Sequence, residues 1–442
     1  MIKRFLFSVI AICLMVGSFV VPSANAADLT DVADSFDYEN NNPFDFRLRV
    51  SYQLISESAT IARERCRPSE KTTGSARDKA ACGAERDQFF EYWPEFSASR
   101  TRHAMVLAPS IGLFKDLELN LRIPIIFSEV FSSSLIAKGG ASASSLLQDG
   151  IVKKEKMDSR HGAGFGDMSI GWQWGIFNDY RDYTKGTWVI GMTWTIPTGT
   201  VWDPKDPRKE QGGVGVGRGA HVLSWHVAVS KRWFIFDPYA RIRYSLFMVP
   251  QQVNTRLQQG LNPRSAEPRV VERALAPSHF GEIIFGNEFV FWENRDKKQK
   301  VVLDLRFIAY GQFEGRNYNI FTDMLADFQP TGTIGQDVDQ PLRTSLITDH
   351  EQYFSFGGHA ALHFQLGKFG FLRILGAMQY ILPYFITFAK RGVDKNGNGF
   401  VDPGDPNEEY PYHVRQIDGI GKRIQQRDTW TITFQVFAGL TL

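Results

Sequence analysis

Residues 429–442 place Trp430, Ile432, Phe434, Val436, Ala438, Leu440 and Leu442 at every second position, with Thr429, Thr431, Thr433, Gln435, Phe437, Gly439 and Thr441 between them. A repeat of two has one structural meaning. Successive side chains of a pleated strand point to opposite faces, so this segment builds a wall that is apolar on one side and mostly polar on the other. The same alternation begins at Phe46, Leu48, Val50, Tyr52 and Leu54, with Arg47, Arg49, Ser51 and Gln53 on the second face. It returns in Leu117 to Ile125 against Glu118, Asn120 and Arg122, in Met168 to Ile176, in Trp188 to Ile196, and in Val301 to Phe307 against Asp304 and Arg306. Helical periodicity is nowhere comparable.

The pattern predicts twelve strands, near 46–58, 101–114, 117–128, 166–177, 187–198, 220–233, 236–249, 280–292, 300–314, 352–366, 371–388 and 429–442. Their connections alternate in length. Those near 115, 178–186, 234, 293–299 and 367–370 are short, whereas 59–100, 129–165, 199–219, 250–279, 315–351 and 389–428 are long and rich in Gly, Ser, Pro and charge. Strict short–long alternation is the signature of an up-and-down barrel with tight periplasmic turns and large external loops. A secreted sandwich also alternates apolar and polar residues. Its strands usually run about five or six residues, and it has no reason to confine every short turn to one end. The expected fold is therefore all-β: a single antiparallel transmembrane β-barrel in the bacterial outer membrane. An even strand number sends both ends of the barrel to the periplasmic side, and closure removes the unpaired edge that lipid does not tolerate. Pro109 falls inside a strand, and its missing N–H predicts a local bulge.

Residues 1–26 read as a secretory signal peptide, with Lys3 and Arg4 ahead of an apolar run from Phe5 to Val21 and an Ala24-Asn25-Ala26 cleavage box. Residues 27–45 are then expected as a periplasmic segment preceding the barrel at 46–442. The chain has 50 Lys and Arg against 48 Asp and Glu, and the leader holds two of the basic residues. The balanced remainder speaks against a nucleic-acid partner, which would require a basic face. Beyond the leader stand Cys66 and Cys82. An even count in an exported chain predicts one disulfide, and the spacing fits neither a redox nor a zinc motif.

Several short motifs then carry a likeness. Gly164-Phe165-Gly166-Asp167-Met168-Ser169-Ile170-Gly171 is followed by Ile190-Gly191-Met192-Thr193-Trp194-Thr195-Ile196-Pro197-Thr198-Gly199, and Ile111-Gly112-Leu113-Phe114-Lys115-Asp116-Leu117-Glu118-Leu119 precedes them. Across roughly 101–250 the chain resembles the outer-membrane barrel family labelled "MetA-pathway of phenol degradation", whose habitual pattern is a Gly-x-Gly-Asp strand start and a strand ending Pro-Thr-Gly. The resemblance implies an outer-membrane barrel taken to be a transporter, and implies a substrate only weakly. The chain ends in Leu442, where such barrels more often end in Phe.

Chemistry-bearing residues are few. A lipid hydrolase of this architecture needs a Ser nucleophile beside a His on the outer wall. The nearest candidates are Ser224, His226 and Ser230, which the alternation turns inward, so no catalytic site is expected. His359 and His363 share a face about 13 Å apart at strand rise, too far to share a metal. Charged residues predicted to line the lumen include Arg47, Arg49, Glu118, Arg122, Asp167, Arg241, Arg243, Glu282, Glu288, Asp304, Arg306 and Arg373. They serve either as mutual ion pairs or as a lining that sets selectivity. One loop stands apart. Asp394, Asn396, Asn398, Phe400, Asp402 and Asp405 have the spacing of a calcium loop, in which side-chain oxygens and the Phe400 carbonyl wrap one structural Ca2+. The alternative there is a solvated Asn/Gly turn cluster. The functional expectation is a channel or transporter for small molecules, aromatic or hydrophobic ones among them, surrounded by outer-membrane lipid and lipopolysaccharide. The main alternative is a plugged barrel whose extracellular loops bind a partner or a surface polymer.

Overall fold

Twelve strands pair antiparallel in chain order, and the last returns to the first. The computed structural model describes residues 27, 30, 32, 46–66, 90–138, 140, 144–179, 182, 184–201, 215–249, 275–294, 296–297, 299–325, 347–367, 370–390, 392–398 and 413–441. Its strands are β1 (Phe46–Cys66), β2 (Phe90–Phe114), β3 (Leu117–Leu135), β4 (Lys156–His161), β5 (Gly164–Phe165), β6 (Met168–Phe177), β7 (Thr187–Ile196), β8 (His221–Ser230), β9 (Phe236–Met248), β10 (Phe280–Asn294), β11 (Gln299–Gln312), β12 (Gly315–Asn317), β13 (Thr348–His350), β14 (Tyr353–Leu366), β15 (Gly370–Ile381), β16 (Tyr384–Phe385) and β17 (Ile424–Thr441). Two short helices, α1 (Ser145–Gln148) and α2 (Arg415–Asp418), lie in the long connections. The ring runs β1-β2-β3-β6-β7-β8-β9-β10-β11-β14-β15-β17, and pairing of β1 with β17 from Arg47↔Thr441 to Arg63↔Ile424 closes it. Every backbone edge of the wall is therefore satisfied within the wall.

The predicted strands are all present, but several bounds differ. β1 runs on to Cys66 and β2 begins at Phe90, so the first long loop is shorter than 59–100. Alternation fails there because both faces are covered: Ile61, Ala62, Arg63 and Glu64 are all buried in succession. β15 stops at Ile381, ahead of Pro383, and Tyr384 and Phe385 pair with Gln426 and Gln425 of β17 instead. No bulge forms at Pro109. Its pairing with Leu48 is in register, and the β2–β3 ladder is merely interrupted between Leu107↔Ile123 and Ser110↔Asn120. A missing N–H costs only the hydrogen bond it would have made, and the register on either side holds.

The outer wall is apolar. Ile242 and Ile432 are 62% and 54% exposed there, while their strand neighbours Ser245 and Thr429 on the inner face are buried. Phe114, Phe177, Trp188, Phe236, Phe291 and Trp292 are exposed near the short turns, and Trp194, Trp225, Tyr244, Phe354 and Trp430 toward the opposite end. An apolar band between two aromatic girdles is what a lipid bilayer selects.

The long-loop end carries a cap. Leu146, Ile151 and Val152 around α1, Ile320, Phe321, Met324 and Leu325 after β12, and Ile386, Val414 and Ile417 around α2 pack with Ala59, Ile61, Phe96, Ala98, Phe131 and Ile424 of the wall. Loop side chains thus fill the mouth along β17, β1, β2 and β3. At the other end the segment expected to be periplasmic enters the barrel. Ala27 is buried against Tyr239, Ile284 and Ile308, and Thr30 Oγ1 lies 2.7 Å from Ser230 Oγ. Residues 1–26 lie outside the described residues.

Candidate functional site

The inner wall is built by the polar half of each alternating strand, and it sorts into layers. Lowest is a hub on β11. Asp304 accepts from Arg306 Nε at 2.7 Å, from Arg373 Nη2 at 2.6 Å, and from the Tyr239 hydroxyl. Glu288 stands opposite both Asp304 and Asp237 on adjacent strands. Arg306, one of the expected lumen-lining charges, has its guanidinium bound to Asp304 and buried. Gly286 makes the hub possible. It sits across from Tyr239, and a Cβ there would lie 2.2 Å from the Tyr239 hydroxyl.

Above the hub, Glu282 holds two arginines at once, Arg241 Nη2 at 3.1 Å and Arg243 Nη2 at 2.7 Å. One carboxylate cannot neutralise two guanidinium groups, so this layer keeps a positive surplus. An aromatic ladder continues from it across neighbouring strands. Arg243 lies over the Phe280 ring at 5.7 Å; Phe280 is 5.0 Å from Tyr310, Tyr310 6.4 Å from Tyr353, and Tyr353 stacks on Tyr384 at 4.1 Å. The Tyr310 and Tyr353 hydroxyls both donate to Gln312 Oε1, at 2.8 and 2.6 Å.

Across the lumen, Glu118 is buried and accepts from Gln173 Nε2 at 3.2 Å. Arg122, on the same face of β3, is exposed and makes no ion pair or hydrogen bond to a described residue. Arg218 comes from the connection before β8, where the sequence pattern placed only a loop, and no periodicity could have pointed to it. Arg47 and Arg49 share the face of β1 that carries the buried Ser51. Ser224, His226 and Ser230 also face inward; Ser224 Oγ is 2.7 Å from Ser245 Oγ, and Ser230 contacts Thr30. His359 and His363 belong to the inner face of β14, alternating with exposed Leu362.

The paired motifs of the family-like region meet at the rim. Asp167 accepts the backbone N–H of Gly199 at 3.1 Å and of Arg218 at 2.8 Å, and Thr198 Oγ1 donates to the Gly166 carbonyl at 3.0 Å. Asp167, read from the sequence as a lumen-lining charge, forms a clasp between the starts of β6 and β8. Only glycine fits at 199, since a Cβ would lie 2.9 Å from Gly217 Cα.

Polar anchors tie the cap to the wall. Asp323 receives Arg100 Nη2 at 2.9 Å and Ser159 Oγ at 2.9 Å, with His161 Nε2 at 3.2 Å from both its oxygens. Burial alone would raise the Asp323 carboxyl, but these partners overturn it and hold it below its ordinary range. Glu95 is similar. Burial opposes its charge, yet hydrogen bonds from Ser145, the Leu146 N–H, Ser144 and Arg65 hold it below its ordinary value.

Of the expected calcium loop, Asp394, Asn396 and Asn398 are described, and Phe400, Asp402 and Asp405 lie outside the described residues. Asp394 Oδ1 accepts the Gly397 N–H at 2.7 Å, and Asn396 Oδ1 accepts the Asn398 N–H at 3.0 Å, with Gly397 at a φ of 71°. Among the described residues no group of three or more His, Cys, Asp or Glu is placed to hold a metal ion. Cys82 and the Cys66 side chain also lie outside the described residues.

A closed ring, an apolar outer band and a charged interior leave one environment. The chain is a bacterial outer-membrane β-barrel. No family model matches the sequence, and no curated protein is similar to it. Similarity to solved structures is weak in detail. An outer-membrane channel from Pseudomonas putida F1 overlaps with a TM-score of 0.40 at 8% identity, over 96% of this chain and 100% of that one. A FadL homologue from Pseudomonas aeruginosa gives 0.31 at 9%, over 96% and 99%. The outer-membrane protease OmpT of Escherichia coli gives 0.29 at 6%, over 90% and 97%.

Proposed function

We propose that this barrel is a passive outer-membrane channel for small solutes, with no catalytic step of its own. The observation that supports it most is the unequal pairing of the inner wall. Interior charges that serve only to hold a barrel together are matched, as in the hub, where Glu288 stands beside Asp304 and its two arginines; Arg241 and Arg243 share one carboxylate, and Arg122 extends inward with none. A lining that keeps charge available can exchange for the hydration of a passing solute. Purified protein in planar bilayers is expected to conduct.

The cap favours a second reading, a plugged scaffold whose extracellular loops bind a partner or surface polymer. The two separate by loosening the cap with Ile320→Ala and Phe321→Ala together. Conductance that rises in the variant supports a gated channel, whereas silence in both forms supports the scaffold. Lipid and lipopolysaccharide are the proposed surroundings of the outer band. A structural Ca2+ in the 394–405 loop and a Cys66–Cys82 disulfide are proposed on the sequence spacing. Chelator should sensitise the 389–428 loop to protease in the native protein and add nothing to Asp394→Ala, and a non-reduced digest should yield one linked peptide.

A further inference from the structure

We propose that Arg122, Arg218 and Arg243 form an anion-binding site inside the barrel, facing Phe280, Tyr310 and Tyr353, and that it takes a carboxylate carried on a flat apolar body. This deepens the channel reading and rests on it for the route by which the ligand arrives.

Two strands and one connection bring the arginines together. Arg122 stands on the inner face of β3, opposite Ser169 of β6. Arg243 stands on the inner face of β9 between Arg241 and the buried Ser245. Arg218 hangs from the rim clasp through its own backbone N–H, which donates to Asp167 at 2.8 Å and leaves the guanidinium unpaired among the described residues. The Arg122 guanidinium is subject to the charges of Arg218 and Arg243 and to no carboxylate of the described residues. Asp167 also lies within reach of Arg218 and keeps its charge while accepting the Gly199 and Arg218 N–H groups, so with Glu282 it sets two carboxylates against Arg122, Arg218, Arg241 and Arg243. Glu282 is the one carboxylate in contact with Arg243, and it is shared with Arg241.

Like charges held together in a wall of reduced dielectric repel more strongly than in bulk water. A bound anion relieves that repulsion, and planar guanidinium groups grip a carboxylate through paired hydrogen bonds. The body of the ligand is defined by the ladder. Tyr310 is within electrostatic reach of both Arg218 and Arg243, and Tyr353 of Arg218. Phe280 lies beneath Arg243 and 5.0 Å from Tyr310. A carboxylate among the arginines therefore leaves its substituent against ring faces, where stacking favours a flat group. Inorganic phosphate and acetate would satisfy the charge without the rings.

Titration calorimetry on the full chain in detergent tests this without flux, using benzoate, benzamide, acetate and inorganic phosphate. Benzoate should bind at least tenfold more tightly than benzamide, which lacks the charge, and more tightly than acetate, which lacks the ring. Arg122→Gln with Arg218→Gln should weaken benzoate at least tenfold, since the clasp uses main chain and survives the change. Tyr310→Leu should weaken benzoate and leave acetate unchanged. Added chloride should compete with benzoate in the wild type, a readout that needs no variant. Equal binding of benzoate and benzamide, full affinity in the double variant with its folded gel migration intact, or tighter binding of phosphate than of benzoate would each overturn the site. A silent barrel that binds benzoate would sink the channel and keep the site; a conducting barrel indifferent to benzoate would do the reverse.

Discussion

Asp304 gathers Arg306, Arg373 and the Tyr239 hydroxyl from three different strands. Asp304→Asn keeps the shape and removes the charge, so the buried Arg306 and Arg373 lose the carboxylate they share. Breaking one side of a buried pair costs about 3–5 kcal/mol, so the variant should lose its folded gel migration at a lower temperature than wild type. The Glu282 layer is different because the Arg243 side chain stays a third exposed. Replacing Arg241 and Arg243 together by Gln leaves Glu282 the local charge and should shift the reversal potential toward cation selectivity while the barrel stays folded. Unchanged selectivity in a conducting barrel would place both arginines off the path. Glu95 gives a pH dependence with a definite sign. Its folded carboxyl titrates below the ordinary 4.5, so its contribution to holding α1 is present above that pH and is lost as pH falls below it. Protection of the 144–152 amides, after correction for intrinsic exchange at each pH, should therefore fall on acidification below 4.5, and Glu95→Gln should lower it at every pH.

Single strands of this barrel are specified by small-against-large pairs across the ladder. Gly286 faces Tyr239, Gly191 faces His226 and Gly439 faces Phe371, and in each case a Cβ would meet the partner ring. Gly286→Ala should push the Tyr239 hydroxyl off Asp304. Overpacking of this kind costs about 1–3 kcal/mol, and Tyr239→Phe should recover none of it because the ring itself is in the way. Urea unfolding of the single and double variants in liposomes checks both statements. The strand ends near the cap follow another rule. Ile61 to Glu64 are buried in unbroken succession, so their backbone belongs to the wall while their side chains belong to a small globular core.

For the whole molecule the ring order fixes which connections share a side. Every short turn lies at the end where β1 starts and β17 finishes, and the cap lies at the other. Cysteines introduced at Gly213 or Asn262 should react with an impermeant maleimide on intact cells, and those at Asp182 or Lys298 only after permeabilisation. Labelling of the second pair on intact cells is incompatible with the twelve-strand ring.

Alternation alone determined the strand number, the closed topology and the inner face, because a pleat leaves a side chain only two directions and lipid accepts only one kind. It put Arg241, Arg243, Glu282 and Glu118 on the polar faces of their strands for that reason. It said nothing of how those charges pair, since partners come from strands far apart in sequence: Asp304 meets Arg373 across 69 residues and Tyr239 across 65. Arg218 was hidden because its position depends on a clasp between two glycine-containing motifs, and the cap was hidden because its apolar residues are scattered over three long loops with no shared period. Those features follow from which loops reach the mouth together. Only the closed ring decides that.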